Sequence, residues 1–340
     1  MSSLASAGQY GYAVARLRAM SGRLLEEALL QRILECEDLD SAVKILGETV
    51  YSGWLMELKS IDEFDKAIEA ELLHVFEEVS KFVPDPALVE ICRLPYDFHN
   101  AKVLIKGTLL VREGGERRFD LLTKLGNLSN DDLITAMETE DYRLLPYDLH
   151  RLIPRCFSVW EQSKDVLEIE KLMDEGLFAA MRERAEASEV ESPILWVRAR
   201  IDAENLRSLL RLKRLNAETA SVPSYLHGGG LISIEKLTSL YGEPAESWSK
   251  IIAFSDVSSI LAGVQDGGDL GSSVVGLEKI LDEYVAKVLE SSKYDAFSPG
   301  NIMSFLWKKE LETKNIRIAL VSVSNDTDRA LAKELFRNVG

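Results

Sequence analysis

The sequence predicts an all-α protein built from three divergent copies of one helical unit. Leu, Ala, Glu, Lys and Arg dominate its 340 residues, and only nine residues are proline. That composition favours helix over sheet. Apolar residues recur with the 3.6-residue period of a helix in most segments, whereas strictly alternating runs are few. The length suggests two or three structural units rather than one.

Amphipathic helices are predicted along most of the chain. The clearest spans 194–214, where ILWVRARIDAENLRSLLRLKR keeps the helical period throughout. Glycine-rich segments at 221–233 and 262–273 are predicted loops. Asp40 or Ser41 is predicted to cap a short helix that ends near Gly47. The remaining predicted helices are 10–20, 24–33, 61–82, 96–110, 119–125, 131–139, 148–156, 160–186, 275–292, 300–320 and 326–337.

One motif, acid-x-x-Asn-aliphatic-base, occurs three times, with its asparagines 105 and 110 residues apart. Composition alone would give on the order of 0.1 matches in a chain of this size. A nearly fixed period indicates duplication. We therefore predict three units, at 1–112, 113–218 and 219–340. The motif residues are Asp97, Asn100 and Lys102, then Asp202, Asn205 and Arg207, and finally Glu312, Asn315 and Arg317.

The motif's geometry predicts a structural role. On a helix, the acid shares one face with the aliphatic residues that follow the asparagine. The acid and the asparagine should therefore lie at the buried edge of an apolar stripe. A buried asparagine must be hydrogen-bonded, so we expect each to tie its helix to a neighbour or a turn. The alternative is three equivalent ligand sites.

Charge and cysteine content exclude several kinds of partner. The formal net charge of −16 disfavours nucleic acid and direct binding to anionic lipid, although the excess glutamate also has the plain effect of solvating helix faces. The three cysteines are far apart and form no CxxC pair, which argues against disulfides or zinc. The N-terminus does not resemble a signal peptide, and no stretch approaches the roughly 20 apolar residues of a membrane span. We expect no direct bilayer insertion.

Catalytic motifs are missing from the sequence. It contains no P-loop, HExxH or GxSxG pattern, and it has four histidines. Two alternatives remain at this stage. The near-repeated segments LPYDFH and LPYDLH could form a metal site if they met in space, and the glycines at 228–230 could present N–H groups to an anion. The candidate metal ligands are Asp97, His99, Asp148 and His150.

Several segments together resemble a known family. They are YGYAVARLRAM at 10–20, LGETVY ending at Tyr51, DFHNAKVLIKG at 97–107, DAENLRSLLRLKR at 202–214 and ELETKNIRIAL at 310–320. The chain resembles the C subunit of prokaryotic V/A-type ATP synthases, a relative of the d subunit of the eukaryotic vacuolar ATPase. The resemblance spans about residues 8 to 335, and residues 115–190 are its least distinctive part.

The resemblance implies three pseudo-equivalent helical units arranged as a funnel around a central cavity. It implies a rotor subunit of the central stalk that catalyses nothing and carries no cofactor or metal. Its partners would be the D and F shaft subunits and the proteolipid ring, at the cytoplasmic face of the membrane. Two rivals are a generic α-helical repeat scaffold, whose period would be about 30–50 residues, and an all-α metal-dependent hydrolase.

Overall fold

The computed structural model describes residues 7–244, 247–251 and 270–339, and every regular element within those ranges is helical. The all-α prediction is therefore confirmed. The described α-helices are α1 (Ala7–Ser21), α2 (Glu27–Leu34), α3 (Leu39–Leu46), α4 (Ser52–Met56), α5 (Phe64–Ser80), α6 (Ala87–Arg112), α7 (Asn130–Thr139), α8 (Leu149–Ser163), α9 (Val166–Ala187), α10 (Glu191–Arg214), α11 (Ile234–Gly242), α12 (Trp248–Ile251), α13 (Leu270–Val288), α14 (Gly300–Ser324) and α15 (Arg329–Glu334).

Short 3₁₀ helices connect several of these elements. They span Ile61–Glu63, Phe119–Leu121, Thr219–Tyr225 and Glu290–Tyr294. Side-chain caps fix many helix starts, since a capping oxygen accepts an N–H that has no partner within the helix. Ser233 caps α11 through Lys236 N, and Asp328 caps α15. The predicted cap of α3 was wrong, because Asp38 caps it through Ser41 N and Asp40 and Ser41 lie inside the helix.

The chain forms two compact units. The first comprises Met1–Asp85 together with Glu191–Gly340, and the second is Pro86–Val190. In the second unit α9 packs against both α6 and α8. A bundle of long antiparallel or crossing helices is the usual way for amphipathic faces to be buried without a sheet.

The first unit joins the two ends of the chain in one apolar core. Its buried cluster combines residues of α2, α3 and α5 with residues of α14 and α15. Leu30, Ile33 and Leu46 lie in it beside Ile316 and Leu320, all of them 2% exposed or less. Such side chains each stabilise the fold by about 1.5–3 kcal/mol, so the N-terminal helices are held to α14 by apolar packing.

A second contact in this unit joins α10 to α14. The rings of Trp196 and Trp307 meet edge to face, with centroids 5.9 Å apart. The guanidinium carbon of Arg200 lies 5.1 Å and 5.0 Å from the two ring centroids. Burial raises the pKa of the neighbouring Glu310 to about 7, although Arg200 and Lys314 act in the opposite direction. Aromatic stacking and cation–π contacts therefore hold these two helices together.

Several predicted boundaries differ from those observed. The helix predicted at 160–186 is interrupted, since α8 ends at Ser163 and Lys164 adopts a left-handed conformation with φ 54°. Asp165 then caps α9. Pro95, predicted to precede a helix, lies inside α6. Of the loop predicted at 262–273, residues 262–269 lie outside the described residues and 270–273 are helical.

Candidate functional site

The three motif copies lie on the long helices α6, α10 and α14, which we call the signature helices. In every copy the acid and the asparagine are completely or almost completely buried. Two polar side chains per helix are thus removed from water, a costly arrangement unless each is hydrogen-bonded.

Each buried asparagine exchanges two hydrogen bonds with the backbone of one residue further along the chain. Its Nδ2 donates to that residue's carbonyl oxygen at 2.8–2.9 Å. Its Oδ1 accepts from the same residue's N–H at 2.7–3.0 Å. The partner follows by 23, 22 and 22 residues in the three copies. The pairs are Asn100 with Thr123, Asn205 with His227 and Asn315 with Arg337.

In the first two copies the buried aspartate holds the same loop slightly further on. Asp97 accepts from Leu128 N at 2.8 Å and from the side-chain amide of Asn127 at 2.7 Å. Burial raises the pKa of Asp97 to about 6, although these donors favour the ionised form. The loop then leads directly into α7, so the aspartate fixes where that helix begins.

The second copy repeats this arrangement. Asp202 accepts from Leu231 N at 2.9 Å and from Ile232 N at 3.1 Å, just before α11. Burial raises the pKa of Asp202 to about 7, against the two backbone donors and Arg198. At Gly230 the backbone passes so close to the Asp202 carboxylate that no Cβ would fit. The loop therefore requires glycine at this point.

In the third copy the acid binds the other end of the chain. Glu312 accepts from Leu25 N at 2.7 Å and from the hydroxyl of Tyr51 at 2.6 Å. Leu25 stands two residues before α2, as Leu128 stands two residues before α7. The N-terminal segment therefore supplies the loop that this acid holds.

A buried ionic cluster surrounds this third site. The ammonium group of Lys309 lies 2.7 Å from Glu312 and 3.1 Å from Glu71, whose second oxygen accepts from Trp54 Nε1 at 2.8 Å. Burial, followed by the charge of Glu312, raises the pKa of Tyr51 well above its ordinary value. Sequence analysis missed Lys309, Glu71 and Tyr51 as parts of one site, because they are far apart along the chain. The one sequence feature that set the third site apart was its acid, which is Glu in the third motif and Asp in the other two.

A cavity of about 380 Å³ adjoins this cluster and is bounded by α1, α4, α5 and α14. Its lining includes Trp54, Glu71, Phe305 and Lys309. Because the ammonium and carboxylate groups of the cluster are bonded to one another, the cluster acts as an internal tie between chain ends.

The base of each motif pairs with the long helix that precedes the next signature helix. Lys102 lies 2.9 Å from Asp174 and 3.1 Å from Glu170 on α9. Burial alone would lower the pKa of Lys102, but these carboxylates outweigh it and raise that pKa. The other pairs are Arg207 with Glu278 at 2.8 Å and Arg317 with Asp65 at 2.7 Å.

The predicted metal ligands do not assemble. In the part of the chain that the structure describes, no group of three or more His, Cys, Asp or Glu side chains could hold a metal ion. Asp97 is engaged by the loop at 127–128, and His99 Nε2 lies 3.0 Å from the Leu121 carbonyl oxygen. The segments LPYDFH and LPYDLH also differ in backbone, since Tyr147 and Asp148 both have φ 58° whereas Asp97 and His99 lie within α6.

The glycines at 228–230 do not face an anion site. Gly230 packs against the carboxylate of Asp202, and its carbonyl oxygen accepts from Arg198. A negative charge at this position would repel a second anion. The segment serves instead as the loop held by the second signature helix.

The asparagine bonds predict a specific loss of stability. Asn205→Ala removes both hydrogen bonds to the half-buried backbone of His227, so we expect the free energy of unfolding to fall by about 1–3 kcal/mol. The exposed Asn325 is the matched control, and Asn325→Ala should change it by less than about 0.5 kcal/mol. Urea unfolding of both variants measures the difference; equal effects would contradict the bonding role.

The ionic cluster predicts that replacing a buried lysine lowers the free energy of unfolding much more than replacing an exposed lysine. Lys309→Met removes the cation that pairs with the buried carboxylates of Glu71 and Glu312. We expect it to lower the free energy of unfolding by about 3–5 kcal/mol. Lys293→Met removes an exposed pair with Glu290 and should cost about 0–1 kcal/mol. Chemical denaturation followed by circular dichroism would reveal this; a Lys309→Met variant as stable as Lys293→Met would refute the tie between chain ends.

Comparison with known proteins identifies the chain's relatives. It is 24% identical over 327 residues to the C subunit of the V-type sodium ATPase of Enterococcus hirae, a match covering 95% of this chain and 96% of that protein. It is 25% identical to the C subunit of the A-type ATP synthase of Methanocaldococcus jannaschii, covering 91% and 81%. The match to the C subunit of the Thermococcus kodakarensis A-type ATP synthase is 23% identical and covers 97% and 91%.

A family model confirms the assignment over almost the whole length. The model describing the ATP synthase (C/AC39) subunit matches residues 13–335, which includes all three signature helices. The resemblance drawn from the sequence is thereby confirmed, and this chain belongs to the ATP synthase (C/AC39) subunit family.

Proposed function

We propose that this chain is a non-catalytic rotor subunit of a V/A-type rotary ATPase, a socket that joins the central shaft to the membrane ring. It would carry torque between them during ion-coupled ATP synthesis or hydrolysis. The observation that carries the proposal is the family match over residues 13–335, together with relatives named as the C subunit of such complexes. Its partners would be the D and F shaft subunits and the proteolipid ring.

The internal bonding suits a part that must transmit torque without yielding. Each signature helix is joined to its loop by paired side-chain and backbone hydrogen bonds, and to a neighbouring long helix by an ion pair. Because the acid and asparagine side chains of each copy are buried, breaking their hydrogen bonds leaves unsatisfied polar atoms at a cost of about 1–3 kcal/mol each. The helix and its loop would therefore move together under load.

The proposal also covers position in the cell and shape. The protein would lie peripherally at the cytoplasmic face of the membrane, as a funnel with a central cavity that receives the shaft. Among the described residues, no helix is long and apolar enough to cross a bilayer. The wide interface that such a joint needs would consist of many contacts rather than one deep pocket.

The division into three pseudo-equivalent units remains a proposal as well. The hydrogen bonds favour units that begin at each signature helix, because every signature helix holds a loop that follows it. The boundaries would then fall near 85/86, 190/191 and 299/300, in place of the predicted 112/113 and 218/219. Residues 300–340 and 1–85 would together form the third unit.

Affinity purification from cells tests the rotor assignment. A tagged chain should recover the D and F shaft subunits and the proteolipid ring in fixed ratio. Loss of the chain should abolish ATP-driven ion uptake by membrane vesicles while the detached catalytic head still hydrolyses ATP. Recovery of neither shaft nor ring would contradict the proposal, as would normal ion uptake without the chain.

A further inference from the structure

Each signature helix carries a second basic residue, four residues before the acid of its motif. In the first copy Arg93 donates to the carbonyl oxygen of Gly126 at 2.5 Å. In the second copy Arg198 donates to the carbonyl oxygen of Gly230 at 3.2 Å. The third copy has Lys308 at this position. An arginine keeps its charge at physiological pH, whereas a partly buried lysine can lose its proton, so the third copy differs chemically from the other two.

Lys308 borders two cavities of the first unit. One cavity, of about 380 Å³, is bounded by residues 21–27 and by residues 337–339. The other, of about 260 Å³, lies between α13, the 3₁₀ helix Glu290–Tyr294 and α14. The lysine side chain is partly exposed. A small solute that enters either cavity therefore meets this side chain.

The smaller cavity brings like charges close to Lys308. Its described lining carries three amino groups and two carboxylates, those of Lys287, Lys293, Lys308, Glu283 and Glu290. Glu290 lies 3.3 Å from Lys293, and Glu283 accepts from a backbone N–H of the C-terminal segment at 3.1 Å. Both carboxylates thus have other partners. The charged side chains that line the larger cavity with Lys308 are Glu26, Glu27 and Arg337.

The pKa values of Lys293 and Lys308 shift in opposite directions. A hydrogen bond to Glu290 raises the pKa of Lys293, so this ammonium group stays charged. Burial, followed by the charge of Lys293, lowers the pKa of Lys308, although Glu290 acts in the opposite direction. A lysine that is partly desolvated and lies beside another cation is an activated nucleophile, because more of it is unprotonated at neutral pH.

Lys314 does not share this combination of features. Burial lowers its pKa as well, but its ammonium group donates to both carboxylate oxygens of Asp282, at 2.8 and 2.9 Å. It lines neither of the two cavities. Lys308 is therefore the better candidate for chemistry with a small molecule.

We propose that Lys308 is an acylation site, a reactive amine that takes an acyl group from a small acyl phosphate. Its unprotonated Nζ attacks the carbonyl carbon of the donor, and a C–N bond forms. The C–O bond to the phosphate breaks, the phosphate leaves with that electron pair, and the nitrogen loses a proton to water. The product is an uncharged amide. This inference does not depend on the rotor assignment.

An acyl phosphate suits the smaller cavity because its leaving group is an anion. Amino groups outnumber carboxylates on the described lining, and lysine binds phosphate as a point charge. Lys293 and Lys287 would hold the phosphate while Lys308 attacks the carbonyl carbon. The first two copies offer no such reaction at the matching position, because the guanidinium groups of Arg93 and Arg198 stay protonated.

Site-resolved mass spectrometry of the purified full-length chain tests the proposal. The folded protein is treated with acetyl phosphate at neutral pH, and acetylation is followed over time at individual lysines. Lys308 should be acetylated at least about threefold faster than Lys44, an exposed lysine of the same unit. In guanidinium chloride the two rates should become alike, because the fold causes the difference. Equal rates in the folded chain, or a faster Lys44, would overturn the proposal.

Acetic anhydride, which is uncharged, tests the nature of the donor. Lys308 should also react faster than Lys44 with the anhydride, and its preference over Lys44 should be larger with acetyl phosphate because only that donor carries an anionic group. A preference seen with the anhydride alone would contradict the acyl-phosphate assignment.

Replacing Lys293 separates the effect of this neighbour from that of net charge. Lys293→Gln removes the ammonium group that disfavours the charged form of Lys308, so acetylation of Lys308 by acetyl phosphate should slow about twofold or more. The control Lys59→Gln makes the same change in net charge at another exposed lysine of the first unit and should leave that rate unchanged. Equal rates at Lys308 in the two variants would contradict the pairing of Lys293 with Lys308.

Discussion

The structure depends on one interaction, the exchange of two hydrogen bonds between a buried asparagine and the backbone of a single loop residue. A loop beside a helix bundle has peptide groups that lose water and find no partner in regular structure. Asn100, Asn205 and Asn315 satisfy such groups in the same way and at nearly the same chain separation. Each signature helix thereby specifies the path of the chain 22 or 23 residues later.

The buried acid extends this control to the start of the next short helix. In the third copy it does so across the chain termini, because Glu312 binds Leu25 N, 287 residues away in sequence. The longer glutamate also reaches Tyr51, and the ammonium group of Lys309 pairs with both Glu312 and Glu71. The N-terminal segment is therefore an integral part of the C-terminal fold, and its apolar helices share one core with α14 and α15.

Local signals in the sequence were sufficient for some features and insufficient for others. The helix at 194–214 and the burial of Asn205 follow from periodicity, which depends on neighbouring residues alone. The partner of Glu312 does not, because nothing local relates it to Leu25 or Tyr51. The helix break at Lys164 was not predicted either, because a single left-handed residue leaves the helical period of apolar residues intact on both sides. Long-range pairings and single backbone torsions are what a one-dimensional pattern omits.

Circular permutation tests most directly whether the two ends of the chain form one structural unit. In the permutant, Gly340 is joined to Met1 by a flexible Gly/Ser linker of about ten residues, and the chain is opened between Asp85 and Pro86. We predict a cooperative unfolding transition within about 3 °C of the parent, since the chain opening leaves every asparagine and its loop partner in one segment. A permutant opened between Gly114 and Gly115 separates Asn100 from Thr123, so it should lose about 2 kcal/mol, about 1 for each hydrogen bond, and melt about 3 °C lower. Failure of the first permutant to fold, or equal stability of the two permutants, would contradict the claim that the two ends form one unit.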